Sequence, residues 1–406
     1  MYRYHRLLAA FLLSTMLFAT RLIAGAEDWR IALCISADPV HKMNVSWRCE
    51  TRLDRPLVQF IQNSPLAKFQ NLPLNQSRAL VEEVRGRDSS LIYVYSGEMS
   101  GLEAQTAYAY RVGGGESWSE WFVFRTASEE AEPFQFIYLG DPQNGLMTHV
   151  PRAFRAAYSA APDAAFMTMA GDLVSVPDDD QQWQDLFHAG GWIFGKVPQV
   201  PVMGNHAYYY QGQWQKAPAK QWRQHFALPT NGLASLPETN YYFLYQDLLF
   251  VVLNGNTQRK EQAKWLDELL SREKAHWIIL SMHQPLYSTG EGRDGSKMRD
   301  AFLPVIDKHQ VDLVLQGHDH TFGRTFPLKG GVVVKKREKG TVYINSVSGS
   351  KQYELEPMIG SVFAVTDADK QFYHVIDVQP STLTLWSYTV DGKLKDTVII
   401  KPASNR

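Results

Sequence analysis

Hydrophobic and polar residues alternate along short stretches of the first third of the chain. Between about residues 27 and 126, four segments have this period of two, with turn residues between them: MNVSWRC, SLIYVYSG, AYAYRVGG and WFVFRTA. Such alternation is typical of half-buried antiparallel strands, and no helical periodicity in this region exceeds two turns. The pattern predicts an all-β sandwich over residues 27–128, with Trp47, Tyr108 and Tyr110 in its core.

A different pattern begins after a short acidic linker at residues 128–133. Continuous apolar runs of the strand type then alternate with helical patterns. The strand-type runs are FQFIYL, AAFMTMA, QVPVM, LLFVVL, HWIILSM and VDLVLQ, and the helical patterns are VPRAFRAAYSAA, QAKWLDELLSREKA and SKMRDAFLPVIDKH. The alternation predicts an α/β domain over residues 133–406, in which helices cover a central sheet. Further strands after about Gly340 complete this domain.

Composition narrows the class of protein. The 406 residues are 45% hydrophobic and 20% charged, which is ordinary for a globular protein and excludes a disordered chain. Basic and acidic residues nearly balance, at 41 against 42, and no stripe of Lys and Arg with interleaved aromatics occurs. We therefore expect no nucleic-acid partner.

The first 26 residues have the composition of a signal peptide. Arg3 and Arg6 precede an apolar stretch from Leu7 to Phe18, and Ala24-Gly25-Ala26 provides small residues for cleavage. An uncleaved membrane anchor is the alternative, but Arg21 interrupts the apolar run before it reaches spanning length. We therefore expect an exported protein, secreted or periplasmic, with no membrane span after cleavage.

The chain has two cysteines, Cys34 and Cys49, in segments that are predicted to be neighbouring strands. In an exported protein a disulfide between them is expected. The alternative is a pair of inert buried thiols.

Five of the predicted strands in the second domain are followed by residues that can bind a metal ion. Most of these residues stand next to a glycine: Asp141, Asp172, Asn205 with His206, His283, and His318 with His320. Ligands in α/β folds bind beyond the carboxyl ends of the strands, so we expect these side chains to converge. Carboxylate, amide and imidazole groups together suit divalent or trivalent transition metals. Each of these five motifs alone is weak evidence for metal binding, but all five in this order predict a metal site.

The order of these pieces resembles that of the calcineurin-like metallophosphoesterases, and among them the purple acid phosphatases. GD, GD, GNH, a strand-end His and GHxH follow one another from Gly140 to His320, and MHQPLYS, SKMRDAF and GHDHTFGRT add to the likeness. The N-terminal sandwich resembles the fibronectin III or immunoglobulin-like domain of that family. The resemblance implies an all-β sandwich followed by an α/β metallophosphoesterase domain, built as a β-sandwich flanked by helices.

The resemblance also implies two adjacent metal ions, with Fe, Zn or Mn as the expected elements. Asp172 would bridge the two ions. The remaining ligands would be Asp141 and His320 for the first ion, and Asn205, His283 and His318 for the second.

Two further residues receive roles from the same resemblance. His206 would protonate the leaving oxygen or stabilise the transition state, and Arg324 would hold phosphate oxygens with both arms of its guanidinium. The implied reaction is hydrolysis of a small phosphate monoester by attack of a hydroxide that bridges the metals.

The sequence departs from the family pattern at the first metal. Ser175 stands where purple acid phosphatases have the tyrosine that colours the ferric ion, so we predict a colourless protein. Gln143 stands where other members have a histidine, and it could bind only through its amide oxygen. These departures leave open a non-catalytic protein that binds metal or phosphate. A phosphodiesterase of nucleotides or lipid head groups is the other alternative, because both reactions use the same set of metal ligands.

Two segments near these motifs also have candidate roles. Tyr208, Tyr209 and Tyr210 could line a substrate pocket, although core packing is an equal alternative for at least one of them. The glycine-rich and charged segment from Ser288 to Ser296 is predicted to be a mobile loop over the site.

Overall fold

The computed structural model describes residues 29–85, 91–335, 338–356 and 362–403. Short antiparallel strands make up its N-terminal part. They are β1 (Ala32–Cys34), β2 (Lys42–Cys49), β3 (Leu57–Gln62), β4 (Asn75–Arg78), β5 (Leu80–Arg85), β6 (Leu91–Ser100), β7 (Ala107–Gly114), β8 (Ser117–Trp118) and β9 (Phe122–Arg125).

These strands form two layers with aromatic residues between them, as the alternating pattern predicts. One layer has the order β1-β2-β6-β5, and the other has the order β4-β3-β7-β8 with β9 also paired to β7. Trp47 and Tyr110 are fully buried in this core, and the ring of Trp47 stacks on that of Tyr95 at 5.2 Å. The predicted mostly β N-terminal domain is therefore confirmed.

The second part of the chain alternates strands and helices. Its strands are β10 (Phe134–Leu139), β11 (Met167–Met169), β12 (Gln199–Pro201), β13 (Tyr209–Tyr210), β14 (Gln213–Trp214), β15 (Tyr241–Tyr245), β16 (Leu248–Leu253), β17 (Trp277–Met282), β18 (Leu313–Gln316), β19 (Phe322–Thr325), β20 (Leu328–Lys329), β21 (Val332–Val333), β22 (Val342–Asn345), β23 (Phe363–Asp367), β24 (Phe372–Val378), β25 (Leu383–Thr389) and β26 (Leu394–Ile400). Its α-helices are α1 (Val150–Ala160), α2 (Asp180–Gly190), α3 (Trp192–Lys196), α4 (Gln221–His225), α5 (Arg259–Arg272) and α6 (Ser296–His309).

Two sheets, rather than one central sheet, form this second domain. The first contains β26-β25-β24-β10-β11-β12, and the second has the order β15-β16-β17-β18-β22-β19-β23. Phe136 and Phe166 of the first sheet contact Phe250 of the second, at ring-centroid distances of 5.9 Å and 5.3 Å. Helices α1 to α3 share the buried core of the first sheet, and α5 and α6 cover the outer face of the second. The result is the β-sandwich flanked by helices that the resemblance implies.

Strand pairing continues from one domain into the other. β1 of the N-terminal domain pairs in parallel with β12, where Cys34 lies opposite Gln199. As a result, one sheet of ten strands, from β26 to β5, runs through both domains.

An ion pair next to this junction joins the same two domains. Asp180, at the start of α2, accepts bidentate hydrogen bonds from Arg30 and from Arg48 of β2. Both arginine side chains are almost fully buried. The domains are therefore joined by backbone pairing and by a charge cluster whose arginines are buried and whose carboxylate is partly exposed.

The two cysteines are free thiols, so the expected disulfide is wrong and the alternative of buried thiols is confirmed. Cys34 faces Asn44 across the β1–β2 pair, and Cys49 lies five residues further along β2. That offset is about 16 Å along the strand, far beyond the reach of a disulfide. Burial raises the pKa of Cys34 to about 12, which keeps its thiol protonated.

The predicted signal peptide, residues 1–26, lies outside the described residues. Among the residues that are described, no helix combines the length and apolar character needed to cross a membrane.

Candidate metal centre

The predicted ligands lie on loops that leave the carboxyl ends of parallel strands in both sheets. Strands β10, β11 and β12 are parallel in the first sheet, and β17 and β18 are parallel in the second. Their following loops contribute the residues Asp141, Asp172, Asn205, His283, His318 and His320. The two sheets thus meet at one edge, where all the predicted ligands converge.

Several of these residues have an unusual backbone conformation. Asp141, Asp172, His318 and His320 have positive φ angles of 36°, 46°, 74° and 50°. A residue with a Cβ atom in the left-handed region costs about 1–2 kcal/mol. Such strain concentrates at functional sites, where the surrounding structure holds it in place.

Glycines allow the strand-end loops to approach each other closely. A Cβ atom on Gly204 would lie 2.1 Å from Oδ1 of Asp172, and one on Gly317 would lie 2.2 Å from Oδ2 of Asp141. Both distances are far below a van der Waals contact, so these two positions accept only glycine without a shift of the carboxylates.

Four side chains form the group that was predicted to hold the second metal. Nε2 of His283 lies 2.9 Å from Oδ1 of Asn205 and 3.1 Å from Oδ2 of Asp172. Nδ1 of His318 lies 3.1 Å from the same His283 atom. Oxygen and nitrogen atoms of Asp172, His283 and His318 all lie within 4.8 Å of one another. This spacing would let them bind one ion.

The protonation of His283 supports a cation at this position. Its Nδ1 lies 2.8 Å from the carbonyl oxygen of Ala170, which can only accept, so Nδ1 carries the proton. Burial would lower the pKa of His283, but the carboxylates of Asp172 and Asp141 raise it to about 9. Without a metal ion, a second proton at Nε2 therefore faces the oxygens of Asp172 and Asn205. If this proton were removed, the lone pairs of His283 Nε2, Asn205 Oδ1 and Asp172 Oδ2 would point at one another. A positive charge between these atoms, either a proton or a metal ion, would stabilise this arrangement.

A second group surrounds Asp141. Its Oδ1 is buried without a hydrogen-bond partner and lies 3.7 Å from Nε2 of His320. The amide Nε2 of Gln143 lies 3.1 Å from the same His320 nitrogen and 3.4 Å from Oδ2 of Asp172. Oε1 of Gln143 is also buried and unpartnered. The structure thus gathers the residues predicted for the first metal, with Asp172 between the two groups.

Burial and neighbouring charges shift the pKa values of the carboxylates in this centre in opposite directions. Burial, countered by the charge of His283, raises the pKa of Asp141 to about 8. Burial lowers the pKa of His318 to about 2 and that of His320 to about 4, so both rings are neutral and can donate an electron pair. Burial would also raise the pKa of Asp172, but the facing imidazole of His283 lowers it on balance.

These observations fit metal ions at both groups. Buried carboxylates without a counter-charge are costly, and orphaned acceptors such as Oδ1 of Asp141 normally have a partner. The donor set of oxygen and imidazole nitrogen suits transition metals. That each of these residues is a ligand stays a prediction.

His206 is held at the edge of the centre with one nitrogen directed inward. Its Nδ1 donates to the carbonyl oxygen of Ser175 at 2.7 Å, and its backbone N–H donates to Oδ1 of Asp172 at 2.8 Å. Nε2 then lies 3.9 Å from Oδ2 of Asp172, and the ring keeps 25% of its exposure. An imidazole in this position can reach a bound substrate and exchange a proton with it.

The side chains of Arg324 and Ser175 are hydrogen-bonded to other protein groups. Arg324 forms a bidentate ion pair with Asp396 of β26, and its role as a phosphate clamp stays a prediction. The hydroxyl of Ser175 lies 3.3 Å from both Asn144 and the carbonyl of Gln143. Ser175 therefore contributes its backbone carbonyl, which orients His206, rather than a ligand.

Hydrogen bonds hold part of the segment from Ser288 to Ser296, which was predicted to be a mobile loop. Oδ2 of Asp319, the residue between the two histidines of GHDH, accepts from the backbone N–H groups of Thr289 and Gly290 at 2.7 Å and 3.3 Å. Arg293 donates to the carbonyl oxygen of His318 at 3.1 Å. Asp319 thus connects this loop to the metal centre without being one of the predicted ligands.

The three tyrosines after His206 differ in role. Tyr208 is buried, and its hydroxyl accepts from Nδ2 of Asn254 at 2.9 Å, so it belongs to the core. Tyr209 and Tyr210 are half-exposed on β13.

Sequence reasoning missed two aromatic residues next to the ligands. The ring of Tyr353 lies 4.9 Å from that of His320, and the ring of Trp214 lies 6.4 Å from that of His206. Neither follows a strand of the main sheets, so the strand-end rule could not find them. The cluster of aromatic residues after His206 was the one available indication for Trp214.

Two family models match this chain, and together they cover most of the described residues. The family model described as calcineurin-like phosphoesterase matches residues 134–322. The model described as purple acid phosphatase, N-terminal domain, matches residues 29–126. The chain therefore contains a calcineurin-like phosphoesterase domain that is preceded by a purple acid phosphatase N-terminal domain.

Individual proteins are also similar to this chain. An uncharacterized protein of Mycobacterium tuberculosis is 24% identical over 332 residues, which cover 72% of this chain and 61% of the relative. Purple acid phosphatase 1 of Ipomoea batatas is 26% identical over 57% of this chain and 52% of its own length. The structure of purple acid phosphatase PPD1 from yellow lupin covers 92% of this chain and 74% of that protein, with a TM-score of 0.79 and 17% identity. The chain spans about half to three fifths of the length of these two sequence relatives.

Proposed function

We propose that this protein is an exported phosphomonoesterase that uses two metal ions. The observation that carries the proposal is the position of the Asp172 carboxylate. Its Oδ2 lies 3.1 Å from His283 in one group of candidate ligands and 3.4 Å from Gln143 in the other. A single carboxylate oxygen shared by two groups is suited to bridge two ions. The relatives named purple acid phosphatase support the same reaction.

The side chains around Asp172 would hold the two ions. One would be held by Asn205, His283 and His318, and the other by Asp141, His320 and the amide oxygen of Gln143. Gln143 would have to rotate its amide, because its nitrogen now faces His320 and its oxygen is unpartnered. Bound metal ions would lower the pKa of water and neutralise charge on phosphoryl oxygens.

His206 would act on the leaving group. Because Ser175 accepts a hydrogen bond from Nδ1, Nε2 is the nitrogen that can hold or release a proton on the substrate side. Hydrolysis of a monoester consumes one water, breaks the bond from phosphorus to the leaving oxygen and needs a proton on that oxygen. A general acid at this position contributes about 10²–10⁴-fold to the rate.

The serine at position 175 determines whether the metal-loaded protein is expected to absorb visible light. Ser175 has no phenolate that could transfer charge to a ferric ion, and its hydroxyl is already bonded away from the centre. The metal-loaded protein should therefore have no visible charge-transfer band. A band that persists after addition of phosphate would contradict this assignment.

Export is proposed from the N-terminal segment of the sequence. The basic start, the apolar stretch and the small residues at 24–26 support cleavage of a signal peptide. Sequencing of the N-terminus of protein recovered from the culture medium or periplasm tests this point. A mature chain that begins at Met1 would contradict it.

The decisive experiment combines metal content with hydrolysis on the same sample. Metal per chain is measured by mass spectrometry after loading with Fe, Zn or Mn. On the same sample, phosphate release is assayed with an aryl monoester and phenol release with a bis-aryl diester. Two metals with preferential monoester hydrolysis are expected. Preferential diester hydrolysis would favour the phosphodiesterase. One metal without hydrolysis would favour the non-catalytic binding protein and implicate Gln143.

A further inference from the structure

The β-hairpin that follows His206 presents aromatic rings next to the metal centre. Strands β13 and β14 are connected by Gln211 and Gly212, which have positive φ angles of 54° and 74°. Two such residues in sequence fit the tight two-residue turns that match the twist of a hairpin. We refer to residues 209–214 as the aromatic hairpin.

The base of the aromatic hairpin is fixed to the core. The N–H of Gln215 donates to the carbonyl oxygen of Tyr208 at 2.8 Å, and Tyr208 is itself buried beside Asn254. The N–H of Ala219 donates to the carbonyl oxygen of Ala207 at 2.8 Å. The rings on the hairpin are therefore presented from an anchored backbone.

Trp214 is the most exposed of these rings. Its side chain pairs across the hairpin with Tyr209, with ring centroids 5.0 Å apart, and it lies 6.4 Å from the ring of His206. Trp214 nevertheless keeps 62% of its exposure. An indole that is held in place and left open to solvent beside a substrate-facing histidine can receive another ring.

The position of Trp214 relative to His206 indicates which part of the substrate it would meet. His206 directs Nε2 towards Asp172, where the phosphoryl group would lie, and its ring neighbours the indole of Trp214. A leaving oxygen within reach of Nε2 would therefore place the rest of the leaving group near Trp214.

We propose that Trp214, supported by Tyr209, binds the leaving group, and that the preferred substrates are phosphate monoesters whose leaving group carries an aromatic ring. This inference rests on the proposed function. Aromatic rings gain from stacked or edge-to-face contact in addition to the apolar area that they bury. The products would be inorganic phosphate and the free phenol or aromatic alcohol, with one water consumed.

The chain offers a matched control for Trp214. Trp192 on α3 is also exposed, at 51%, and its ring contacts Tyr158 at 4.8 Å. Its replacement removes an exposed indole without touching the aromatic hairpin. Trp214→Phe keeps a ring at the site and tests whether stacking, rather than the indole itself, is responsible.

The experiment compares kcat/KM for phenyl phosphate with kcat/KM for glycerol 3-phosphate in the metal-loaded full chain. Trp214→Ala should lower the ratio of the two values about tenfold, equivalent to about 1.4 kcal/mol. Trp214→Phe should keep most of the parent's ratio of kcat/KM values, and Trp192→Ala should leave that ratio unchanged. The loss should occur mainly in KM, because the contact is made in the bound substrate as well as in the transition state.

Binding without turnover provides a second measurement. Phenylphosphonate should inhibit the parent protein more strongly than methylphosphonate, and Trp214→Ala should reduce that difference. Suppose the parent hydrolyses phosphate esters, but Trp214→Ala keeps both the parent's preference for phenyl phosphate and its preference for phenylphosphonate. The role of Trp214 is then refuted and the proposed function stands. If the metal-loaded parent hydrolyses neither ester, the proposed function fails and this inference fails with it.

Discussion

Replacing Gly204 by alanine tests whether the Asp172 carboxylate is held in place to bind metal. The new Cβ would lie 2.1 Å from Oδ1 of Asp172, although real Cβ contacts essentially never fall below 3.0 Å. The backbone N of Asp172 would also lie 2.2 Å from this Cβ, so both the carboxylate and the backbone of Asp172 must move by about 0.8–0.9 Å. A displacement of about 1 Å in a catalytic site can cost about 10²-fold in rate. We expect Gly204→Ala to lower phosphate release about 100-fold and to reduce the metal content per chain.

The same variant has a readout that does not depend on turnover. A metal ion at a concentration of 100 Kd stabilises the folded chain by about 2.7 kcal/mol per site, which raises the melting temperature. Gly204→Ala should lose much of this metal-dependent rise. Gly101→Ala is the control, since a Cβ there meets nothing within 4 Å and only its positive φ of 69° opposes the change. Two bound metals and turnover within threefold of the parent in Gly204→Ala would refute the reasoning.

Three further predictions concern other parts of the molecule. His206→Ala should lower kcat by about 10²–10⁴-fold while the metal content measured by mass spectrometry stays unchanged. Gln143→His should strengthen binding of the first metal about tenfold or more in competition with a chelator, because a neutral imidazole is a better ligand than an amide oxygen. Asp180→Asn should lower the free energy of unfolding by about 2 kcal/mol, measured with denaturant. This is less than the 3–5 kcal/mol typical of a fully buried pair, because Asp180 keeps 41% of its side-chain exposure. Partial burial would raise the pKa of Asp180, but Arg30 and Arg48 lower it well below its usual value of 3.8. The stabilisation is therefore present above about pH 4 and is lost as the pH falls through the lowered value.

Each of these predictions has an outcome that contradicts it. Loss of metal from His206→Ala would mean that this ring is a ligand rather than a proton donor. Equal metal affinity in Gln143→His would mean that position 143 does not face the ion. If Asp180→Asn matched the parent in stability at pH 7, the charge cluster would not join the domains. A difference at pH 7 that disappeared at alkaline rather than acid pH would contradict the role of the Asp180 carboxylate.

Much of the fold was predictable because the buried strands are continuous apolar runs. LLFVVL is β16 from end to end, and the helix at SKMRDAFLPVIDKH has the predicted bounds. Helix α2 was not predicted, although Trp183, Leu186 and Phe187 recur at helical spacing and are all buried. The helix begins at Asp180, directly after Asp178 and Asp179, and aspartates favour turns and N-caps; Asp179 is the N-cap.

The candidate metal centre was predictable for a related reason. Parallel strands place their carboxyl ends at one edge, so residues such as Asp141 and His283 converge whatever their distance in sequence. The environment of each side chain was not predictable in this way. Arg324 is paired with Asp396, seventy-two residues away on another sheet, and no local pattern encodes that contact. Likewise, the position of Trp214 beside His206 depends on a turn whose strands have two residues each.

The pairing of β1 with β12 affects whether one domain can be produced, or exchanged by recombination, without the other. A boundary drawn through the linker at 128–133 would separate the chain into two pieces in sequence, yet it would leave β12 as a bare sheet edge. Open edges invite pairing with other chains. Gene fragments that encode the phosphoesterase domain alone should therefore yield aggregating protein, and recombination between relatives should succeed when both domains travel together.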